Sequence, residues 1–155
     1  MNLKKVEIEI GEEEFVLDPK DLACAEETIN EDLMNQPSLY TWVSVLREEA
    51  DAEYQEKKMS LELLEAELDS KYRDKLEKPT ENKIAQAIIR DDNHTGMKGE
   101  LIQARRAVGI LKAWEEGFRQ RKEVLISLAS NFRAQMDIDL HINKEIKKKK
   151  IRRED

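Results

Sequence analysis

From Met97 to Met136 the apolar positions follow a seven-residue rhythm across forty residues that hold no proline. Ala104, Leu111, Phe118, Leu125 and Phe132 form one apolar line, and Lys98, Arg105, Lys112 and Arg119 form a basic line one position further on. Seven residues are two helical turns, so each line keeps to one side of a single rod. At 1.5 Å per residue the rod is roughly 60 Å long, more than one small core can cover. It is therefore expected to pack against another long helix, another subunit, or both.

Upstream the rhythm changes. Val6, Ile8 and Ile10 alternate with Glu7 and Glu9, and Gly11 precedes Phe15-Val16-Leu17, which predicts a short β-hairpin over residues 1–17. Asp18-Pro19 opens a predicted short helix reaching about Met34, and Asn35-Gln36-Pro37-Ser38 is expected to break it. Val43, Leu46, Ala50, Tyr54, Leu61, Leu64, Leu68 and Tyr72 recur at steps of three, four and seven, which predicts an amphipathic helix from Leu39 to about Leu76. Lys78-Pro79-Thr80 ends it, and a helix with Ile84, Ala87 and Ile88 follows. Asp91 to Gly96 is the most turn-rich stretch, so a loop is expected there, and the rod is expected to fade near Asp137. The two long helices should fold back on each other, with the 80–90 helix near the bend.

The fold class expected is mostly α: a long antiparallel helical hairpin with a short N-terminal β-hairpin. A helical body over 18–140 precedes a basic tail over 141–155, read as flexible. Composition supports long helices, with 39% charged residues, 5% aromatic, five Gly and three Pro. Such a thin core supply is often completed by oligomerisation. No apolar run of membrane-spanning length and no secretory leader stands in the sequence. The single cysteine, Cys24, fits a reducing, cytoplasmic setting.

The net charge of −7 conceals polarity along the chain. Residues 1–35 carry −8, residues 97–136 carry +4, and residues 144–155 carry +4. Phosphate binding needs a local basic surface and not a basic whole, so the acidic total does not exclude nucleic acid.

Catalytic chemistry finds little material. His94 and His141 lie 47 residues apart, no Cys/His set has metal-ligand spacing, and no phosphate-cradling glycine loop or hydrolase motif occurs. No enzyme activity, metal or cofactor is expected. The basic line has two readings. Its charges either pair with Glu48, Glu49, Glu53, Glu62, Glu65 and Glu67 of the preceding helix, or contact phosphate; arginine suits both. The run Lys147, Lys148, Lys149, Lys150 is a general anion-binding element or a solubilising end. Trp42, Trp114 and Phe118 are read as core and not as base-stacking platforms. Leu111, Phe118, Leu125 and Phe132 are expected to form contacts between subunits, and Gly109 and Gly117 to mark close approach of another helix.

Leu101-Ile102-Gln103-Ala104-Arg105-Arg106, Leu111-Lys112-Ala113-Trp114, Gly117-Phe118-Arg119, Arg121-Lys122 and Leu125-Ile126 resemble the long C-terminal helix of the tailed-phage recombination mediator UvsY family. Leu39-Tyr40, Trp42, Lys57-Lys58, Leu61 and Leu64 to Asp69 resemble that family's first long helix. The resemblance spans about residues 38–136. It implies a helical subunit of a homo-oligomeric ring that binds single-stranded DNA and helps a RecA-like recombinase replace a single-strand-binding protein, within the phage's host cell. Two basic side chains of the family's DNA site correspond here to Glu65 and Glu67, with Lys57, Lys58, Lys71 and Arg73 nearby as substitutes. The reading of another class is a scaffolding helical oligomer whose charges only pair helices.

Overall fold

The computed structural model describes the backbone of residues 3–154 and the side chains of residues 3–148. Two strands, β1 (Val6–Ile10) and β2 (Glu13–Leu17), precede three helices, α1 (Ile29–Lys75), α2 (Glu81–Ile89) and α3 (Asp92–Glu154). The strands pair antiparallel with Ile10 opposite Glu13 and Val6 opposite Leu17. Gly11 takes a φ of 62° in the two-residue turn, the left-handed region that glycine enters without a Cβ clash. Its amide donates to Glu53 Oε2 of α1 at 2.7 Å, which pins the turn to the helix.

Helices α1 and α3 form the expected antiparallel hairpin, with contacts running from Gln36 against Phe118 to Glu65 against His94. The core joins Val43, Leu46 and Ala50 of α1, Ala107, Leu111 and Phe118 of α3, and Ile8, Ile10 and Leu17 of the strands. Strand alternation turns Ile8 and Ile10 inward and leaves Glu7 and Glu9 exposed. Full burial of a side chain such as Phe118 contributes about 1.5–3 kcal/mol. Helix α2 sits at the bend, where the Thr80 side chain accepts from the Lys83 amide as N-cap.

Three features depart from the sequence expectation. Pro19–Leu22 forms a single 3₁₀ turn, a second 3₁₀ turn covers Glu26–Thr28, and α1 then runs without a break through Pro37. An interior proline removes one helical hydrogen bond and costs about 3 kcal/mol. The neighbouring Gln36 offsets this: its Nε2 donates to the Phe118 carbonyl at 2.6 Å, and its Oε1 accepts from Arg121 at 2.6 Å. Tertiary bonds thus hold the turn that the proline weakens.

The expected loop at 91–96 is also absent. Asp91 Oδ1 accepts from the amides of Asn93 (3.0 Å) and His94 (3.4 Å), so α3 starts at Asp92. The helix does not fade at Asp137. It continues to Glu154, 63 residues or about 95 Å, and includes the backbone of the expected flexible tail. Beyond Ala129 every described side chain of α3 is exposed.

Gly117 is a close approach, but to the 3₁₀ turn and not to a long helix, since a Cβ there would stand 3.0 Å from Leu22 Cδ1. Gly109 faces open space.

Candidate nucleic-acid interface

Seven-residue spacing puts successive cations of the basic line on neighbouring positions of α3, with a drift of about 20° per step in a straight helix. The line and the positions immediately after it, from Lys98 to Ala134, hold Lys98, Arg105, Arg106, Lys112, Arg119 and Arg133 and no acid. All six side chains are exposed. Among the described residues no carboxylate lies within ion-pair distance of Lys98, Arg105, Arg106 or Lys112. The acids of α1 that were candidate partners are engaged elsewhere or exposed. Glu48 pairs with Arg47, Glu53 with Lys57, and Glu65 with His94 at 2.9 Å.

Arg119 is partly neutralised. Its guanidinium lies 3.0 Å from Glu116 on the same helix, and the Tyr40 side chain and Glu116 together hold its pKa above the usual arginine value. Tyr40, Thr41, Phe118, Arg119, Lys122 and Ile126 line a shallow apolar groove of about 540 Å³ between α1 and α3. A phenol ring beside two cations suits base stacking next to phosphate contact. Sequence reading passed over Tyr40 and Lys122, whose relation appears only when the two helices are placed side by side. Trp42, expected in the core, is 41% exposed, whereas Phe118 is fully buried.

The substitutes on α1 divide. Lys57 is bridged to Glu53 (3.5 Å) and Glu100 (3.0 Å), and Arg73 is clamped between Asp69 (2.7 Å) and Glu81 (2.8 Å). Those carboxylates, led by Glu100 for Lys57 and Glu81 for Arg73, push both pKa values up and occupy both cations. Lys58 is exposed, and Lys71 lies 5.3 Å from the Tyr72 ring centre. Glu65 serves the fold, because it partners the buried His94 ring.

The β-strands lie on the other flank of α3, where Glu7, Glu9 and Glu14 face Gly99, Gln103 and Arg106 across a groove that also contains Glu53 and Glu100. Lys98, Arg105 and Lys112 do not line that groove. Lys147 and Lys148 extend the basic surface onto the C-terminal part of α3, Lys148 lying 3.7 Å from Glu145. The side chains of Lys149 and Lys150 lie outside the described residues.

The expected subunit contacts are corrected by the core. Leu111, Phe118 and Leu125 are all 0% exposed within one chain, Leu111 and Phe118 in the core shared with α1 and the strands, and of the four only Phe132, 54% exposed, is free for a second chain. Three buried polar contacts link the same helices. Arg121 binds Asp32 and Gln36, Glu115 binds Arg47 and Ser44, and His94 binds Glu65. Cys24 stands between the two 3₁₀ turns, half-buried against the Arg121 carbonyl, and burial pushes its thiol pKa up. Among the described residues no metal-binding cluster occurs, and no helix is long and apolar enough to cross a membrane.

Comparison of the chain with known protein families, characterised proteins and solved structures finds no match.

Proposed function

We propose that the chain binds single-stranded DNA as a homo-oligomer and assists the loading of a RecA-like recombinase in place of a single-strand-binding protein. The observation that supports the DNA half of this reading is the exposed basic line of α3. Among the described residues its cations Lys98, Arg105 and Lys112 have no carboxylate within ion-pair distance, whereas Arg106 borders the groove that holds Glu7, Glu9 and Glu14. Unpaired charges along a rigid rod suit a flexible polyanion better than a compact ligand, since successive cations on the line stand about 10 Å apart. The Tyr40 groove adds a surface for bases, and the resemblance of residues 38–136 to the UvsY family supplies the mediator role and the ring. Each subunit offers a weak site, and assembly multiplies it.

A scaffolding role is the reading of another class, and one set of contacts favours it. Arg47–Glu115, Lys57–Glu100 and Arg121–Asp32 show that many charges of this chain serve only to join helices. Fluorescence anisotropy with a labelled single-stranded oligonucleotide separates the two. The mediator reading requires salt-sensitive, sequence-tolerant binding, and exchange of a bound single-strand-binding protein for a recombinase. Absence of any binding at low salt leaves the scaffold.

A further inference from the structure

The line that builds the core of the hairpin does not stop where its partner helix stops. Ala104, Leu111, Phe118 and Leu125 are buried, and the same seven-residue line goes on through Phe132, is interrupted by Asp139, and resumes at Ile146. Met136 and Ile142 flank it. These four side chains are 50–54% exposed on the last part of α3, where only Phe132 borders the start of α1. In proteins most helical stability comes from tertiary packing of an apolar face. An open groove of about 700 Å³ lies at the base of the stretch, lined by Ile29, Leu33, Ala129 and Phe132 and rimmed by Glu26 and Glu27.

We propose that the overhanging part of α3 pairs antiparallel with the same part of a second copy of this chain. The proposal rests on the self-assembly half of the proposed function and requires nothing of its DNA half. Charge selects the occupant. In an antiparallel arrangement Ile146 of the second copy meets Phe132, Ile142 meets Met136, and Glu145 meets Arg133. Lys147 and Lys148 then arrive at Glu26 and Glu27 on the rim of the groove. A parallel pair would set the basic ends against each other and leave the groove empty. The antiparallel register has one unfavourable contact, Asp139 against its own copy at the axis, in a solvent-exposed position where screening limits the repulsion. The contact is isologous, so each pair buries two grooves at once.

The test uses the full chain carrying Cys24→Ser and no DNA. Phe132→Cys and Ile146→Cys are prepared separately, mixed, and oxidised. The expected product is a covalent dimer containing one copy of each variant, with little dimer from either variant alone. Self-linked dimers of each single variant, or no covalent dimer in the mixture, overturn the proposal. Sedimentation of Ile142→Lys/Ile146→Lys provides the second reading. Self-association weakens by about thirtyfold or more, as for loss of a central interface anchor, while the unfolding midpoint of the hairpin core stays in place. Unchanged self-association overturns the proposal, as does a monomer whose overhang binds only anionic phospholipid vesicles. Absence of the mixed covalent dimer from a chain that separately binds single-stranded DNA would remove this interface and leave the DNA reading standing.

Discussion

The guanidinium of Arg121 on α3 lies 2.7 Å from the Asp32 carboxylate on α1, 89 residues earlier, with the arginine side chain 5% exposed. Its remaining donors reach Gln36 Oε1 and the Ala23 carbonyl. One side chain therefore ties together the end of the 3₁₀ segment, the turn of α1 before Pro37, and the middle of α3. Arg121→Ala leaves Asp32 without its partner and Gln36 half satisfied. Breaking such a pair costs about 3–5 kcal/mol, and urea unfolding of the variant should show a loss of that size. Arg121→Lys should recover only part of it, because one ammonium cannot serve three separate acceptors.

Phe118→Ala and Phe132→Ala should part company. Phe118 is fully buried within the chain, so its truncation costs about 3–5 kcal/mol of stability. Phe132 is 54% exposed, and its truncation should change unfolding of the single chain by no more than about 0.5 kcal/mol. Equal losses in chemical denaturation would show that the overhang is not separate from the core.

The two helical glycines provide a test of packing. Gly109 meets open space, so Gly109→Ala should raise stability by about 1 kcal/mol. At Gly117 the added methyl presses on the Leu22 side chain, and the gain in calorimetry should be smaller or reversed.

Acid should loosen the bend. Burial works against ionisation of Asp91, but the Tyr72 hydroxyl (3.0 Å) and the His94 and Asn93 amides outweigh it and hold its pKa below the usual aspartate value. A depressed folded-state pKa gives stability that is fully present above the unfolded value, about 3.9, and is lost as pH falls through the folded one. Asp91→Asn should therefore be less stable than the parent near pH 7, with the difference closing below about pH 4. A difference independent of pH would show that the cap acts through shape alone.

Much of the fold is legible in the sequence, and the remainder has identifiable reasons. Alternation at Val6, Ile8 and Ile10 with Gly11 at the turn encodes the β-hairpin locally, and the steps among Val43, Leu46 and Ala50 encode a helix. Pro37 misleads, because the bonds that carry α1 through it come from Phe118 and Arg121, more than eighty residues away. Asp91 to Gly96 reads as a loop from its turn-forming residues, yet the same Asp91 is an N-cap once helix follows. The seven-residue line correctly marks a seam at Leu111, Phe118 and Leu125. Spacing alone does not say whether α1 or a second subunit fills it. The basic line is equally visible in the sequence, but that Lys98, Arg105 and Lys112 stand apart from the described carboxylates while Arg119 does not is a property of the folded hairpin.

The central claim is that the α3 face formed by Lys98, Arg105 and Lys112 holds the DNA backbone. The most direct measurement is oligonucleotide anisotropy against salt for the parent chain and for Arg105→Glu/Lys112→Glu. The parent should lose affinity with a log–log slope of about 0.7 per phosphate neutralised. The double variant should keep its helical circular dichroism and unfolding midpoint, since neither side chain has an ion-pair partner, and show no binding at any salt concentration. A double variant that binds with the parent's affinity and salt slope would contradict the account.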